Sequence, residues 1–344
     1  MKRLYALSAI ILAVFVISGC VSEKAEQSDK LRIIFETDVG NDVDDAMALD
    51  LLYKYLDQGK IDLLAVMINK SASAPAEYMD IMNTWYGYPD IPVGVVRNGS
   101  NDVNGLYADH VVAMKKEDGA PMFKRSHSDY DKLPDAHILY RKILAEQPDN
   151  SVVIPSVGFS TNLARLLDTP ADEYSPLTGR ELVAKKVKLL VAMAGYASSP
   201  ESPEYNVIND IPSAMKVLEE WPTPVVVSPF EGGLAIKYPA ASIENDFNWA
   251  EAGHPMVESY KDYLPMPHDR PTWDLTAVLY AVEGDSWFTM SGKCDIEVTE
   301  KAQTHYTPNE NGNVIYMKVD EAQADAINRH FQELLPIIPA KYVK

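Results

Sequence analysis

The acidic turn at residues 36–46, which joins a strand to a helix, is the feature that most constrains the fold. Before it, residues 31–35 are an unbroken apolar run typical of a buried strand, and after it residues 47–56 repeat apolar side chains at mainly helical spacing. Gly40 allows the chain to bend, and four carboxylates crowd the turn: Asp38, Asp42, Asp44 and Asp45. Such hard oxygen ligands, without Cys or His, favour Ca²⁺ or Mg²⁺ over zinc. The alternative is that one aspartate caps the helix and the others complement its dipole.

The rest of the chain alternates between strand-like and helix-like segments. Apolar runs predict strands at residues 61–68, 91–96, 151–157, 187–193, 223–227 and 314–319. Helical spacing predicts helices at residues 76–86, 135–146, 161–167, 211–220, 273–282 and 321–335. This alternation predicts an α/β fold: a single Rossmann-like domain with a mostly parallel central sheet flanked by helices. Ligands of such sheets bind beyond the carboxyl ends of the strands, where the acidic turn is expected, and residues 98–133 are expected to form a long functional loop.

Residues 1–19 are predicted to be a lipoprotein signal peptide, with a basic start, an apolar core and small residues directly before Cys20. The apolar core is too short to cross a bilayer comfortably. We therefore expect lipid on Cys20, a polar tether at residues 20–30 and the folded domain at residues 31–344. An ordinary signal peptide with an incidental cysteine is the alternative. The anchored protein would lie in the bacterial cell envelope, and the absence of an Asp after Cys20 favours the outer membrane.

Composition excludes several classes of function. The net charge of −19 argues against binding to nucleic acid or to an anionic membrane surface, so the lipid on Cys20 would be the only membrane contact. If Cys20 is lipidated, Cys294 has no partner for a disulfide bond. The sequence has no dinucleotide fingerprint, no phosphate loop and no paired histidines at zinc-binding spacing.

Three further segments carry polar residues suited to a ligand site. Residues 157–162 follow a strand and open a helix with glycine and small polar residues, which ordinary turn chemistry would also explain. Glu204 and Asn206 would lie on the same side of an extended segment and suit a polyhydroxylated ligand, unless the segment is a surface loop. Trp273 and Asp274 begin an apolar helix, for which Asp274 could be only the N-cap.

Together and in order, these segments resemble the inosine-uridine-preferring nucleoside hydrolase family. The family carries Asp-x-Asp-Pro-Gly-x-Asp-Asp-Ala, Gly-x-Leu-Thr-Asn, Glu-Phe-Asn-x-x-x-Asp and a late His-Asp before a helix. The matching segments are residues 36–46, 158–162, 204–210 and 273–274. The resemblance implies the nucleoside hydrolase fold, with one Ca²⁺ bound in an open-topped cleft and hydrolysis of the N-glycosidic bond of ribonucleosides.

The resemblance also implies a role for each matching residue. The calcium ligands would be the side chains of Asp38, Asp45 and Asp274 and the main-chain carbonyl of Val157. Asp38 would in addition be the general base that takes a proton from the attacking water. The ribose would be held by polar side chains: Asp44, Glu204 and Asn206, with Asn69 and Asn83 more loosely aligned.

Two departures from the family pattern bear on these roles. The first motif is two residues longer than the usual form and has Val39 for Pro, so Asp42 is an alternative to Asp44 or Asp45 in the site. At the position of Trp273, many members have a His that helps to protonate the leaving base. The purine-preferring branch resembles this chain in having Trp there. Trp273 would then stack on a purine, with Tyr107 as a candidate second face, and space-filling is the alternative for both.

The sequence therefore predicts a calcium-dependent hydrolase of nucleosides, with purines favoured, and leaves two other functions open. The same chemistry could act on another N-riboside, such as a nicotinamide or modified-base riboside, because residues 98–133 would shape the leaving-group pocket. A lipoprotein that only binds a nucleoside or sugar is the second alternative, against which the retention of Asp38, Asp45 and Asp274 argues. The sequence does not decide whether the chain forms a homo-oligomer.

Overall fold

The computed structural model describes residues 30–103, 105–250 and 252–343. The predicted signal peptide, Cys20 and nearly all of the tether lie outside the described residues. Within these ranges, no helix is long and apolar enough to cross a membrane. Among the described residues, Cys294 is a buried free thiol.

A ten-stranded, mostly parallel sheet forms the centre of the described part of the chain. Its strands are β1 (Leu31–Thr37), β2 (Ile61–Ile68), β3 (Val93–Val95), β4 (Val152–Ser156), β5 (Val187–Met193), β6 (Val225–Ser228), β9 (Thr289–Met290), β10 (Cys294–Val298), β11 (Thr304–Pro308) and β12 (Val314–Lys318). Their order is β11-β10-β12-β6-β5-β4-β1-β2-β3, with β9 beside β12. All pairs from β3 to β12 along this order are parallel, whereas β9, β10 and β11 add antiparallel pairs. Strands β7 (Lys237–Tyr238) and β8 (Arg270–Pro271) pair separately.

Helices cover both faces of this sheet. They are α1 (Asp44–Asp57), α2 (Ser73–Tyr86), α3 (Ala108–Ala113), α4 (Ala136–Glu146), α5 (Thr161–Leu167), α6 (Gly179–Lys186), α7 (Tyr205–Asn209), α8 (Ile211–Glu220), α9 (Phe230–Ala235), α10 (Ala240–Asn245), α11 (Pro255–Tyr263), α12 (Trp273–Glu283) and α13 (Glu321–Leu334). Because side chains alternate along a strand, Ile33 and Phe35 enter one hydrophobic core and Ile34 enters the other. Helices α1 and α12 bury their apolar sides in the first core, and α4, α5, α6 and α8 in the second. The predicted α/β fold with a mostly parallel sheet is confirmed.

For several elements, among them β2, β5 and α8, the bounds predicted from the sequence are the same as those in the structure. The strand predicted at residues 91–96 shortens to Val93–Val95, since Pro92 has no N–H to donate to a neighbouring strand. The long loop at residues 98–133 contains helix α3 and a single 3₁₀ turn at Tyr130–Lys132. The prediction of an extended segment around Glu204 is wrong, because helix α7 occupies Tyr205–Asn209.

The carboxyl ends of the parallel strands position the polar segments. Asp38 and the acidic turn follow β1, Val157 follows β4, and Phe230 lies two residues after the end of β6. Parallel strands end at one edge of the sheet, so these segments meet there although they are far apart in sequence.

Candidate active site

A cleft of about 470 Å³ opens at this edge of the sheet. Its polar lining residues are Asp38, Asn41, Asp42, Asp44, Asp45, Asn101, Glu204, Asn206 and Asp274. Its other lining residues are mostly apolar or aromatic: Val103, Gly105, Leu106, Val157, Met193, Tyr205, Phe230, Tyr263 and Trp273. Most of the residues that the sequence assigned to a site therefore converge on one cleft. Asn69 and Asn83 are not among the lining residues.

The acidic turn bends at Gly40, whose φ of 109° lies in the region that favours glycine. Val43 occupies the N-cap position of α1, and Thr272 that of α12. Asp45 and Asp274 instead lie within the first turns of these two helices, so neither is an N-cap.

Three of the aspartates form a buried cluster. Carboxylate oxygens of Asp44, Asp45 and Asp274 all lie within 4.8 Å of one another. Asp44 accepts a hydrogen bond of 3.0 Å from the backbone N–H of Asp274, which joins the beginnings of α1 and α12. Asp45 accepts a hydrogen bond from the hydroxyl of Thr37. The cluster is therefore built from two helix starts and the end of β1.

Electrostatics make this cluster costly without a cation. Burial raises the pKa of Asp44, Asp45 and Asp274 well above the ordinary value, and repulsion from neighbouring aspartates raises each of them further. A divalent cation among the carboxylates would reverse both effects, because it favours their charged forms. Oxygen ligands of this kind suit a hard cation such as Ca²⁺. The described residues thus fit a metal ion at this position.

Asp38 lies beside the cluster at the end of a polar chain. The side-chain amide of Asn41 donates to Asp38, and Lys70 donates to the amide oxygen of Asn41 over 2.6 Å. Burial raises the pKa of Asp38 to about 6, against the opposing effects of the Asn41 hydrogen bond and the positive charge of Lys70. The carboxylate is therefore ionised at neutral pH, close to the range in which a general base works best.

Asp42 is held in an ion pair rather than in the cluster. Nε of Arg270 donates to Oδ1 of Asp42 over 2.8 Å, and a second guanidinium nitrogen contacts Oδ2. The hydroxyl of Tyr263 lies 3.4 Å from Oδ2. Because both oxygens are engaged, this geometry favours Asp44 and Asp45, rather than Asp42, as the members of the metal site.

Glu204 shapes its own segment, which is why the predicted extended conformation is wrong. Its carboxylate caps α7 by accepting from the backbone N–H groups of Asn206 (2.9 Å) and Val207 (3.2 Å). The amide of Asn206 then donates to the carbonyls of Val157 (2.9 Å) and Met193 (3.2 Å). Burial raises the pKa of Glu204 to about 7 in spite of these hydrogen bonds. Both side chains reach the cleft from a capped helix rather than a strand.

Glu36 is another buried carboxyl group, two residues before Asp38. It accepts hydrogen bonds from Tyr140 (2.6 Å), Asn162 (2.7 Å) and Asn69 (3.3 Å), and burial raises its pKa to about 7. Asn69 is fully buried and donates to Glu36. It does not line the cleft, and its contact with ribose stays a prediction.

Asn83 and Tyr107 also lie away from the cleft. Asn83 accepts from the hydroxyl of Tyr53 over 2.6 Å and donates to the carbonyl of Ile91 over 3.3 Å. Tyr107 is fully buried, and its hydroxyl accepts from the backbone N–H of Gly40 over 3.0 Å. Asn83 thus fixes the core and Tyr107 fixes the acidic turn. Neither lines the cleft, and their contacts with a substrate stay predictions.

Aromatic rings form another part of the cleft lining. Nε1 of Trp273 donates to the carbonyl of Phe230 over 2.9 Å, and the two ring centroids are 5.0 Å apart. Tyr263 and Tyr205 complete this part of the lining, and Tyr205 is half exposed. No histidine is among the lining residues in the described part of the chain. The arrangement offers flat apolar surfaces beside the carboxylates.

The segment at residues 98–133 reaches the cleft through its first part. The backbone N–H of Leu106 donates to the carbonyl of Gly40 over 2.7 Å, which docks the segment on the acidic turn. Asn101 donates to the side chain of Asn209 over 3.1 Å, which links it to α7. Asn101, Val103 and Leu106 consequently line the cleft between these two attachments.

A model of the family described as inosine-uridine preferring nucleoside hydrolase matches residues 33–327. The chain belongs to this family. It is accordingly an N-glycosyl hydrolase of the nucleoside hydrolase type, in a family that is metal-dependent, and its buried aspartate cluster could hold the metal.

Solved nucleoside hydrolases have a similar fold. A purine-preferring ribonucleoside hydrolase from Gardnerella vaginalis superposes with a TM-score of 0.67 at 14% identity, over 89% of this chain and 100% of that one. An inosine-guanosine nucleoside hydrolase gives 0.64 at 20% identity, over 91% and 99%. An inosine-uridine preferring nucleoside hydrolase from Bacillus anthracis gives 0.63 at 16% identity, over 88% and 99%. Comparison with curated proteins found no match.

Sequence reasoning missed several residues that shape this nucleoside hydrolase site. They are Glu36, Thr37, Asn41, Lys70, Tyr205, Phe230, Tyr263 and Arg270. A signal for Glu36 existed, since it occupies the first position of the matched motif. For Arg270 there was none, because 228 positions separate it from Asp42 and no local pattern indicates the pair.

Proposed function

We propose that this chain is a calcium-dependent ribonucleoside hydrolase that favours purine nucleosides and uses Asp38 as its general base. The observation that carries the proposal is the juxtaposition, in one cleft, of a buried three-aspartate cluster, an ionisable Asp38 and aromatic rings. The reaction joins the oxygen of a water molecule to the anomeric carbon. The C–N bond breaks and its electron pair goes to the base nitrogen, which gains a proton from solvent. Asp38 takes the proton that the attacking water loses, and free base and ribose result.

The chain provides the ligands that Ca²⁺ prefers. Asp38, Asp45, Asp274 and the carbonyl of Val157 would hold the ion, with Asp44 in contact range of the same cluster. The bound cation would supply a fixed positive charge that makes a neighbouring water easier to deprotonate. The ion pair between Asp42 and Arg270 supports the same assignment, because it removes Asp42 from the competing carboxylates.

Asp38 is suited to take the proton from the attacking water. With its pKa raised to about 6 by burial, the carboxylate is unprotonated at neutral pH yet still basic enough to accept a proton. The side-chain amide of Asn41 restrains one carboxylate oxygen by donating to it. Lys70 in turn restrains Asn41 by donating to its amide oxygen, so the orientation of Asp38 is set by a chain of two side chains.

The sugar is expected to bind between the acidic turn and α7. Glu204 and Asn206 extend from the capped start of α7, and Asp44 from the start of α1. Carboxylate and amide groups can accept from and donate to the ribose hydroxyls. Binding energy gained on the hydroxyls would be used to position the anomeric carbon beside Asp38.

The base is expected to lie against the aromatic part of the lining. Trp273 and Phe230 contact each other with their rings tilted by 33°, and both line the cleft, so a planar purine can stack on one of these rings. An indole cannot donate a proton to the leaving base as histidine can, and stacking is the interaction that remains. The structural similarity to a purine-preferring hydrolase from Gardnerella vaginalis and to an inosine-guanosine hydrolase agrees with a purine preference.

We also propose that the enzyme is tethered to the bacterial cell envelope through lipid on Cys20. The support is the sequence of residues 1–20, which has the basic start, apolar core and small residues of a lipoprotein signal. Export would place the enzyme where it meets extracellular nucleosides.

The test is release of reducing sugar by the purified full-length protein. Inosine, adenosine, guanosine, uridine, cytidine and nicotinamide riboside are compared with calcium and with chelator. We expect chelator-sensitive release that is fastest for the purine nucleosides and falls by about 10²- to 10⁴-fold in Asp38→Asn. Asp90→Asn, an exposed aspartate outside the cleft, is the matched control and should retain wild-type rates.

Two outcomes would overturn the proposal. Release from nicotinamide riboside alone would assign the site to another N-riboside. Saturable, calcium-dependent binding of nucleosides without any sugar release would mean that the chain binds its ligand and does not hydrolyse it.

A further inference from the structure

Arg270 lies against two aromatic residues of the cleft without lining the cleft itself. Its guanidinium carbon is 4.8 Å from the centroid of the Tyr263 ring and 5.2 Å from that of Trp273. Both rings line the cleft, and the side chain of Arg270 is only 17% exposed. One cation thus contacts two of the surfaces that a base would meet.

The orientation of this guanidinium is fixed by Asp42. The two form a bidentate ion pair, in which Nε of Arg270 donates over 2.8 Å and a second nitrogen contacts the other carboxylate oxygen. The hydroxyl of Tyr263 also lies 3.4 Å from this carboxylate. Asp42 belongs to the acidic turn that is two residues longer than the family pattern. The longer turn is therefore connected directly to the aromatic lining.

Trp273 is constrained on a second side by Phe230. The indole nitrogen donates to the Phe230 carbonyl over 2.9 Å, and the Phe230 ring lies against Tyr196, with the ring centroids 4.7 Å apart. Arg270 is the contact that joins this group of rings to Tyr263. Lysine could not replace it, because only the planar guanidinium can pair with a carboxylate through two nitrogens and pack on aromatic rings together.

We propose that Arg270 is a positioning residue that fixes Tyr263 and Trp273 as the surfaces against which a planar leaving base stacks. The identity of the ligand as a nucleoside rests on the proposed function. Arg270 acts through the two rings and does not touch the substrate. Of the ribose-binding groups, Glu204 and Asn206 lie at the start of α7 and make no described contact with Arg270, and Asp44 interacts with Arg270 only through charge, so the larger effect should fall on the base.

Binding measurements separate the base from the sugar without relying on turnover. The full-length protein with calcium is titrated calorimetrically with a purine C-nucleoside, whose carbon–carbon bond to ribose is not hydrolysed, and separately with D-ribose. We expect Arg270→Met to raise the Kd of the C-nucleoside by about tenfold or more, since a misplaced contact surface loses its alignment. The Kd of D-ribose should stay within about twofold of wild type.

Two further variants make the result specific to the guanidinium. Arg270→Lys keeps the charge but not the planar fork, so it should give an intermediate Kd for the C-nucleoside, and it carries the test if Arg270→Met does not fold. Arg329→Met, which replaces an exposed arginine on α13, should match wild type for both ligands.

The inference is overturned if Arg270→Met raises the Kd of the C-nucleoside and of D-ribose by the same factor, or changes neither. It is also overturned if the wild type binds the C-nucleoside no more tightly than D-ribose. A wild type that binds the C-nucleoside much more tightly than ribose but hydrolyses no nucleoside would instead refute the proposed function and leave the role of Arg270 intact.

Discussion

Thr37 connects the end of β1 to the aspartate cluster through a single hydroxyl. The hydroxyl donates to Asp45 and accepts from the backbone N–H of Val39 over 3.1 Å. The residue is completely buried, so no water can replace either hydrogen bond. Thr37 therefore sets the orientation of a predicted calcium ligand without being one.

Removing this hydroxyl should affect both folding and metal binding. In Thr37→Val the N–H of Val39 loses its partner in the buried interior, which should lower the free energy of unfolding by about 1–3 kcal/mol. Asp45 loses its orienting donor, and calcium affinity should fall by about 10- to 100-fold. Urea denaturation in chelator measures the first effect, and calcium titration of nucleoside hydrolysis measures the second.

Thr37→Ser is the matched control, because it keeps the hydroxyl and removes only a methyl group. It should bind calcium like the wild type. Equal calcium affinities in the valine and serine variants would contradict the role assigned to the hydroxyl.

Among the elements, the segment at residues 98–133 is the one whose docking determines the shape of the cleft. At Gly105, φ is 103°, and a Cβ atom there would lie 1.7 Å from the carbonyl oxygen of Gly40. The adjacent N–H of Leu106 donates to that same carbonyl. The segment can approach the acidic turn this closely only because position 105 is glycine.

Gly105→Ala should therefore push the segment away from the acidic turn. Val103 and Leu106 would move with it, and we expect kcat/KM for nucleosides to fall by about 10- to 100-fold through misplacement of the cleft lining. Steady-state kinetics with inosine measures this change.

Gly119→Ala separates the steric clash from backbone strain. Gly119 has a comparable φ of 81°, but nothing lies within 4 Å of a Cβ atom built there. Its substitution should cost about 1 kcal/mol of stability and leave kcat/KM unchanged. Similar kinetics for the two alanine variants would show that the docking contact does not shape the cleft.

The same elements show what sequence patterns can predict. Strand β2 was predicted with its observed bounds, because its eight residues are mostly apolar and lie in the sheet interior. Helix α7 was missed, because its five residues depend on capping by the side chain of Glu204, which is also bound by the N–H of Gly195. The convergence of Asp38, Asp45 and Asp274 followed from the family motifs, whereas the pairing of Asp42 with Arg270 required the tertiary structure.

At the scale of the whole molecule, buried acids dominate the dependence of stability on pH. Burial raises the pKa of Glu36 and Asp50 to about 7 and that of Asp38 to about 6. The unfolded chain releases these protons near the ordinary values of 3.8 and 4.5. Between the two ranges the folded protein holds more protons than the unfolded chain, so its stability falls as the pH rises.

Calcium should oppose this loss, because it binds the ionised forms of the clustered carboxylates and of Asp38. Calcium affinity therefore rises with pH, and a ligand that binds only the folded state stabilises it by mass action. We expect the Tm of the chelated protein to fall from about pH 5 to about pH 8. Over the same range, the difference in Tm between the calcium-loaded and chelated protein should grow by about 5 °C or more.

Differential scanning calorimetry at several pH values, with calcium or chelator, measures both trends. Asp45→Asn should lose most of the calcium-dependent difference at every pH, because it removes a carboxylate from the cluster. Asp90→Asn, which removes one exposed charge and so matches the change in net charge, should behave like the wild type. A calcium-dependent difference that is the same at low and high pH would mean that the buried aspartates are not where calcium binds. A chelated protein whose Tm rises with pH would contradict the raised pKa values of its buried acids.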